Sequence, residues 1–357
     1  MLNFTVGPVM MNSAILNIGA NQVPYFRTQD FSKLMMENEK MMLRAIEANE
    51  SSRVIFLTSS GTGAMEASVK NLFTGQDKVL VVNGGGFGAR FKAICDMHGI
   101  PADSIILEHG HALSEEDLYP YEGKKYTAFL VNANETSTGV LYDMEMISEF
   151  CKRNNLFLLV DAISTFLADP YHMKKWGVNA TVISSQKALA IPAGMAFVVV
   201  DEKAQERISR IKLKEMYFNF KDYLSNGKRG QTPYTPAVGT LYQLNKRLEM
   251  VLEEGVEKQC QKTAEIANLF RQKIKGLPFE ISSENCSNAL TPLRLKGKMM
   301  ATELINYLAD TYDIYINPCS GEEKETHIRV GHIGEISDEQ MNVLIDAFYD
   351  MNRKGVL

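Results

Sequence analysis

A single lysine, Lys187, follows a short β-branched segment and is the first candidate for chemistry in this sequence. Residues 181–184 (TVIS) have the composition of a buried strand, and only Ser185 and Gln186 separate them from the lysine. Strand ends in parallel α/β sheets project side chains into the crevice where such sheets bind ligands. An ammonium group is costly to desolvate there, and lysines that form Schiff bases with carbonyl compounds have a lowered pKa. Lys187 is therefore a candidate nucleophile, although an isolated lysine past a strand more often extends to solvent.

Small polar residues between a predicted strand and a predicted helix suggest a phosphate site. The strand covers residues 54–58, the loop residues 59–63 (SSGTG) and the helix residues 64–72. Small side chains let backbone N–H groups approach a phosphate, the hydroxyl groups of Ser60 and Thr62 add donors, and the helix dipole favours an anion. The lysine of a nucleoside-triphosphate P-loop is absent from this segment. We therefore expect a phosphate group that stays bound rather than being transferred, although similar turns begin many helices.

Two further strand ends carry side chains suited to a flat ligand. The predicted strand at residues 78–82 precedes a glycine-rich loop whose Phe87 could stack on a ring, although an aromatic residue buried in a loop explains the pattern about as well. Residues 156–160 (LFLLV) run directly into Asp161. A carboxylate at the end of a buried strand needs a cation or hydrogen-bond donors, whereas helix capping is the commoner role of such an aspartate.

These four features would meet at one place if the strands form a parallel sheet. Repeated strand, crossover and strand segments indicate such a sheet, whose loops gather along one edge. Pyridoxal phosphate needs all four features: it has a phosphate, a flat ring, a pyridine nitrogen that a carboxylate keeps protonated, and an aldehyde that condenses with lysine. Asp161 and Lys187 lie 26 residues apart, which leaves room for one crossover to the neighbouring strand.

The composition of the 357-residue chain is that of an ordinary soluble globular protein with more than one domain. Its net charge of −5 gives no electrostatic reason to expect nucleic acid or an anionic membrane as a partner. Five widely spaced cysteines without a Cys-x-x-Cys motif indicate neither disulfides nor a metal site and favour a cytoplasmic location. We find no signal-peptide pattern and no apolar run of membrane-spanning length.

Several motifs along nearly the whole chain carry a resemblance to a known enzyme family. In chain order they are FTVGPV, SSGTGAMEA, NGGGFGAR, NETSTGV, LLVDAIS, SSQKAL with PAG, TPYTPAVGTLYQL and HIRVGHIG. With these motifs the chain resembles the fold-type I pyridoxal-phosphate enzymes, and among them the class V aminotransferases of the alanine/serine-glyoxylate group, which are related to 2-aminoethylphosphonate-pyruvate aminotransferases. One departure is Ala133, where relatives often have histidine; it bears on the substrate rather than on the cofactor.

The resemblance implies an α/β fold with a mostly parallel, seven-stranded sheet in a large domain and a small α+β C-terminal domain. We expect an N-terminal arm at residues 1–15, the large cofactor-binding domain at 16–245 and the small domain at 246–357. Apolar periodicity predicts a helix from about residue 30 to 46, and the segment from about 217 to 230 is predicted to be a loop. Further helices are predicted at residues 144–153, 241–254, 256–275, 300–310 and 337–352, with strands near 289–295 and 326–330.

The resemblance also assigns a role to each matching residue. Lys187 would form the Schiff base and act as the base, Asp161 would pair with the pyridine nitrogen, and Arg329 would bind the substrate carboxylate. Phe87 and Ile163 would cover the two faces of the ring. The other expected cofactor contacts are Ser60, Gly61, Thr62 and Gln186 at the phosphate, Thr136 near the phenolic oxygen, and Thr235, which would reach the phosphate from a neighbouring subunit. A homodimer with shared active sites follows.

The reaction that the resemblance implies is ping-pong transamination from a small L-amino acid, such as alanine or serine, to glyoxylate or pyruvate. A 2-aminoethylphosphonate donor stays open, because a phosphonate would also suit an arginine. A cysteine desulfurase or related lyase has Cys319 in its favour, but Gln186 and Phe87 stand where desulfurases typically have histidine. A non-catalytic protein of this fold would need neither the lysine nor the aspartate. Arg27 could contact an anion or stack on a neighbouring aromatic ring.

Overall fold

The computed structural model describes residues 1–319 and 321–357. Its strands are β1 (Leu2–Asn3), β2 (Arg53–Thr58), β3 (Val79–Asn83), β4 (Ala102–Ile106), β5 (Ala128–Asn132), β6 (Asn134–Glu135), β7 (Val140–Leu141), β8 (Phe157–Asp161), β9 (Ala180–Ser184), β10 (Met195–Val200), β11 (Phe279–Ile281), β12 (Leu290–Leu295), β13 (Ile314–Tyr315), β14 (Asn317–Pro318) and β15 (His327–Gly331). Its helices are α1 (Ser13–Gly19), α2 (Gln29–Ala45), α3 (Gly61–Leu72), α4 (Gly86–Met97), α5 (Glu115–Leu118), α6 (Met144–Arg153), α7 (Met173–Trp176), α8 (Glu202–Arg210), α9 (Phe220–Gly227), α10 (Val238–Glu254), α11 (Val256–Lys273), α12 (Ala301–Tyr312) and α13 (Asp338–Arg353). Among these, no helix combines the length and the apolar character that a membrane span requires.

A seven-stranded sheet in the order β2-β10-β9-β8-β5-β3-β4 forms the centre of the molecule. Neighbouring strands are parallel except at β10, which is antiparallel to both β2 and β9. Strands β5, β8 and β9 are buried along their whole length, as expected of parallel strands that helices cover on both faces. The predicted seven-stranded, mostly parallel sheet is therefore confirmed.

Two layers of helices cover this sheet, because successive strand side chains point to opposite faces. On β5, Phe129 and Val131 join the apolar cluster that includes residues of α2, α6 and α10. Ala128 and Leu130 join the cluster that includes residues of α3, α4 and α8. The carboxyl ends of the parallel strands are thus held along one edge by packing on both faces.

The C-terminal part of the chain builds a separate apolar cluster around an antiparallel sheet in the order β11-β12-β15-β14. Helices α11, α12 and α13 pack on it through side chains such as Phe270, Leu304 and Phe348, each fully buried. The N-terminal arm joins the same cluster, since Phe4 is buried there and β1 pairs with β13. The domain boundaries near residues 15 and 245 remain predictions.

Two local expectations are wrong. Helix α9 lies within the segment predicted to be a loop, because the Asn219 side chain caps its first turn and Phe220 and Tyr223 are buried in the cluster that contains α3 residues. Phe87, expected on a loop, lies in the first turn of α4. That helix has glycine at its N-cap position and no local side-chain cap, so its start has no sequence signal of the usual kind.

Substitution of one buried phenylalanine in each region should show whether the C-terminal part unfolds by itself. Phe270→Ala and Phe129→Ala remove fully buried rings from different clusters, and each should lower the free energy of unfolding by about 3–5 kcal/mol. Urea denaturation measures the loss, and amide hydrogen exchange shows its location. We expect Phe270→Ala to accelerate exchange in β12 and β15 while β5 and β8 stay protected. Uniform acceleration over the whole chain would contradict the predicted small domain.

Candidate active site

One cavity of about 150 Å³ lies at the carboxyl edge of the central sheet. Nine of the eleven predicted site residues line it, and Thr235 and Arg329 do not. The lining residues are Ser60, Gly61, Thr62, Met65, Phe87, Arg90, Thr136, Asp161, Ile163, Ser164, Gln186 and Lys187. Residues from five separate chain segments thus meet where strands β2, β3, β5, β8 and β9 end, as the parallel order requires.

The N-terminus of α3 forms one wall of the cavity. Helix α3 begins at Gly61, three residues earlier than predicted, and the Ser60 hydroxyl oxygen caps it by accepting a hydrogen bond from the Gly63 N–H group at 3.2 Å. A Cβ atom at Gly61 would lie 2.5 Å from Ile163 Cδ1, so glycine lets the helix approach the chain after β8 closely. Free amide groups and the helix dipole make this wall suited to an anion.

Asp161 is buried at the end of β8 and is held there by two donors. Its Oδ1 atom accepts from the Ile163 N–H group at 2.7 Å, and its Oδ2 atom accepts from Asn132 Nδ2 at 2.6 Å. Asn132 is its register partner on β5, and the Oδ1 atom of that amide has no hydrogen-bond partner among the described residues. Burial raises the pKa of Asp161 to about 6, although both hydrogen bonds lower it. The carboxyl group is therefore buried in a fixed orientation.

Lys187 enters the cavity from the segment after β9. Its Nζ atom donates to the carbonyl oxygen of Val6 in the N-terminal arm at 2.5 Å. The pKa of Lys187 is lowered to about 8, mainly by burial and also by the positive charge of Arg329, while the negative charge of Asp161 opposes both effects. An amine with this pKa is partly deprotonated near neutral pH, which is the state needed for a nucleophile or a base.

Phe87 faces the cavity from the first turn of α4 and is covered by Arg90, whose guanidinium carbon lies 4.7 Å from the ring centroid. Arg90 also donates to the Thr62 hydroxyl group at 3.0 Å and so connects α4 to the N-terminus of α3. Gln186 lies nearby, and its Oε1 atom accepts from the Ser184 hydroxyl group. The aromatic ring of Phe87 is therefore connected, through Arg90, to the N-terminus of α3.

Arg329 lies on β15 beside the cavity and is held by carbonyl groups. It donates to the Thr136 carbonyl oxygen at 3.1 Å and to the Pro318 carbonyl oxygen at 2.7 Å. The Thr136 hydroxyl group is hydrogen-bonded to that of Ser164 at 2.6 Å. Burial lowers the pKa of Arg329, yet the group stays charged because an unperturbed arginine titrates above pH 12. Among the described carboxylates, none lies within 4.0 Å of this guanidinium group.

Three other residues considered from the sequence lie away from the lysine. Thr235 is exposed on the segment between α9 and α10. Arg27 stacks on Phe26, with its guanidinium carbon 4.6 Å from the ring centroid, and donates to the carbonyl oxygens of residues 232 and 233. Of the two interpretations of Arg27, stacking on an aromatic ring is therefore the one observed. Cys319 is buried, its thiol contacts the Ser137 carbonyl oxygen at 3.9 Å, and burial raises its pKa to about 11, which disfavours the thiolate that a desulfurase needs.

Sequence analysis missed four residues that shape the cavity. Asn132 ends the buried strand β5 and Ser164 lies in the buried turn after β8, and both could have attracted attention because buried polar groups need partners. Arg90 follows Phe87 by three residues, which is contact spacing only once the segment is known to be helical. The fourth, Glu135, sits 48 residues from the helix whose N-terminus it caps, and no local pattern reveals that contact.

The residues at this cavity fit pyridoxal phosphate as a ligand. The α3 N-terminus offers amide donors to a phosphate, and Asp161 offers an acceptor to a protonated ring nitrogen. The Asn132 Oδ1 atom, which lacks a partner among the described residues, is a further acceptor next to that carboxyl group. In residues 1–319 and 321–357, no group of three or more His, Cys, Asp or Glu side chains is arranged to hold a metal ion.

Comparisons with known proteins identify relatives over nearly the whole chain. The family model described as Aminotransferase class-V matches residues 19–323. The small subunit of soluble hydrogenase from Synechococcus sp. (strain PCC 6716) is 29% identical over 94% of this chain and 88% of its own. L-aspartate–glyoxylate aminotransferase from Paracoccus denitrificans (strain Pd 1222) is 28% identical over 85% of this chain and 78% of its own.

Comparison with solved structures identifies a chain that shares the whole fold. The structure described as an aspartate aminotransferase of subgroup IV from Thermus thermophilus superimposes with a TM-score of 0.92, covers 100% of both chains and is 25% identical. Relatives of nearly equal identity thus carry different functional names, so sequence identity does not determine the substrate of this chain.

The reaction of Lys187 with a small amine-acylating reagent should depend on pH with a midpoint near 8, because only the neutral amine reacts. This midpoint lies about two pH units below that of a model-peptide lysine. Brief labelling of the ligand-free protein over a pH series, followed by peptide mass spectrometry, measures it. Arg329→Met should raise the midpoint, since it removes the nearby positive charge. An unchanged midpoint in that variant would show that Arg329 does not act on the amine.

Proposed function

The chain belongs to the class-V aminotransferase family, and from this premise we propose that it transfers the amino group of a small L-amino acid to a small 2-oxo acid with pyridoxal phosphate as cofactor. The observation that carries the proposal is that the Lys187 amine, the Asp161 carboxyl group and the N-terminus of α3 line one cavity. The membership agrees with the motif-based prediction.

Pyridoxal phosphate, when bound, supplies an aldehyde that condenses with amines and a protonated ring that accepts the electron pair left on the substrate Cα atom. The amide groups at the α3 N-terminus would bind the phosphate, with the side chains of Ser60, Thr62 and Gln186. Asp161 would hold the proton on the ring nitrogen, because its carboxyl group is fixed by two hydrogen bonds. Phe87 and Ile163 would cover the ring, and Thr136 would lie at its oxygen substituent.

Lys187 would move the proton that transamination requires. Its amine removes the Cα proton of the donor amino acid, and a pKa near 8 leaves a useful neutral fraction at physiological pH. The carbonyl oxygen of Val6 is an acceptor that orients the amine while it is not covalently engaged. The same residue therefore serves as nucleophile in one step and as base in the next.

Arg329 would bind the carboxylate of both amino acid and oxo acid. Its guanidinium group is held by carbonyl oxygens, which fix its direction without neutralising its charge. A bidentate pair with an incoming carboxylate matches the geometry of that group. Because donor and acceptor would use the same arginine in turn, we propose a ping-pong sequence of two half-reactions.

The acceptor we favour is glyoxylate or pyruvate, and the donor is alanine, serine or another small amino acid. The relative from Paracoccus named for aspartate and glyoxylate supports a glyoxylate acceptor and adds aspartate as a donor to test. A 2-aminoethylphosphonate donor is kept for testing, because its phosphonate could pair with the uncompensated charge of Arg329.

We also propose that the protein works as a cytoplasmic homodimer. Thr235 is exposed and lies outside the cavity of its own subunit, as a residue that completes a partner's phosphate site would. Arg27 holds the preceding residues 232 and 233 by two hydrogen bonds and so limits where Thr235 can reach. All five cysteines are free, which suits a reducing compartment.

Lys187→Ala should abolish transamination, because nucleophile and base are lost together, and we expect a fall in turnover of about 10³-fold or more. The cofactor-loaded protein would be mixed with alanine, serine, aspartate or 2-aminoethylphosphonate, and the released oxo product identified by chromatography. Lys33→Ala, which changes an exposed lysine, is the control and should keep wild-type turnover. Near-normal transamination by Lys187→Ala would rule out the proposed transaminase mechanism.

In solution the protein should have twice the 40.0 kDa mass of the chain, which sedimentation velocity measures. Thr235→Ala should weaken cofactor affinity by about tenfold or more, as expected for one lost hydrogen bond to a charged group. The dimer itself should persist, because the change is a small one at an exposed side chain. A monomer with full cofactor affinity would rule out the shared site.

A further inference from the structure

Glu135 carries a carboxyl group that the proposed reaction does not use, although it is 1% exposed. Its Oε2 atom accepts from the N–H groups of Phe87 at 3.1 Å and Gly88 at 2.9 Å. Its Oε1 atom accepts from the N–H group of Ser137 at 3.1 Å and from its hydroxyl group at 2.5 Å. No ion pair involves Glu135 within the described part of the chain, so hydrogen bonds alone compensate its burial.

These contacts replace a cap that α4 lacks. The first amide groups of a helix have no partner within it, and the N-cap residue of α4 is Gly85, which has no side chain to offer. Ser137 Oγ accepts a hydrogen bond from the Gly86 N–H group at 2.9 Å, and the Glu135 carboxylate accepts from the next two N–H groups. A Cβ atom at Gly85 would lie 2.3 Å from Ser137 Oγ and 2.8 Å from Glu135 Cγ, so glycine is required for this approach.

The same carboxyl group connects two residues that line the cavity. Phe87 is bound through its own backbone N–H group, and Thr136 follows Glu135 directly in the chain. The Thr136 carbonyl oxygen in turn accepts from Arg329. A shift of Glu135 would therefore move the aromatic face of the cavity relative to the loop that holds the arginine.

We propose that Glu135 is a positioning residue that fixes the backbone of Phe87 against the loop carrying Thr136, so that both side chains are pre-organised around one cofactor ring. The inference rests on the proposed binding of pyridoxal phosphate. The charge of Glu135 also acts on Asp161. Burial is the main cause of the raised pKa of Asp161, and the negative charge of Glu135 raises that pKa further. Pre-organisation lowers the entropy lost on binding, so the first effect of disturbing it should be on affinity.

The test compares Glu135→Ala, Glu135→Gln and a matched cap variant, Asp201→Ala. Asp201 caps α8 by accepting from the Ala204 N–H group at 2.8 Å, and it follows β10, whose last residue pairs with Arg53 at the opposite edge of the sheet. Cofactor-free protein would be titrated with pyridoxal phosphate and followed by absorbance. Amide hydrogen exchange at Phe87 and Gly88 would be measured without cofactor.

We expect Glu135→Ala to weaken cofactor affinity about tenfold or more and to accelerate exchange at both amides, because the charge-assisted hydrogen bonds of Phe87 and Gly88 are lost together with those of Ser137. Glu135→Gln keeps one acceptor oxygen and should weaken affinity by about threefold. Asp201→Ala should lower the midpoint of thermal unfolding but keep wild-type affinity, since it removes a helix cap far from the cavity.

Wild-type affinity in a folded Glu135→Ala protein would overturn the positioning role. If that variant does not fold, Glu135→Gln decides, and unchanged affinity together with unchanged exchange at Phe87 and Gly88 would overturn it. If Asp201→Ala weakens cofactor affinity as much as Glu135→Ala does, the loss reflects lower overall stability. That result would also overturn the positioning role. If the wild-type protein fails to bind pyridoxal phosphate, the proposed function fails, while faster exchange at the two amides in the variants would still support the backbone contact.

Discussion

The burial of an ammonium group and a carboxyl group at the same edge of the central sheet is the constraint on which the rest of this structure depends. Each ion loses several kcal/mol of hydration free energy when it is buried, and only well-placed partners offset that loss. Asp161 obtains them from Asn132 on the adjacent strand and from the backbone of Ile163. Lys187 obtains one from the carbonyl group of Val6, which belongs to a distant part of the sequence. The burial of Asp161 and Lys187 at this site therefore depends on both the strand register and the path of the N-terminal arm.

The N-terminal arm also links the two halves of the molecule. Its Phe4 is buried in the C-terminal cluster, and the Phe4 carbonyl oxygen accepts from the N–H group at the end of β15, the strand that carries Arg329. The Val6 N–H group donates to Asn317 at 2.6 Å while the Val6 carbonyl oxygen receives Lys187. A few residues of extended chain thus connect the group that would hold a substrate carboxylate to the group that would take its proton.

The differences from the sequence-based predictions have one cause in common. Phe87 lies on a helix rather than a loop because Glu135 and Ser137 satisfy the amide groups of that helix from another segment. The loop predicted before residue 230 is partly helical because Phe220 has a buried position to fill. In each case a partner distant in sequence outweighs local composition, and local composition is all that a sequence pattern records.

The sequence by itself determined the fold class, because strand periodicity and loop composition are local properties, and it placed Asp161 and Lys187 at strand ends that parallel topology brings together. The family and the other predicted residues around the cavity followed from motifs that resemble those of class V aminotransferases. Only the tertiary structure decided how these groups are held: the amide of Asn132 on Asp161, the Val6 carbonyl oxygen on the amine, and the Glu135 carboxylate at the start of α4. The reason is physical. Desolvation and hydrogen bonding depend on which groups surround an atom in space, and residues far apart in the chain supply those groups.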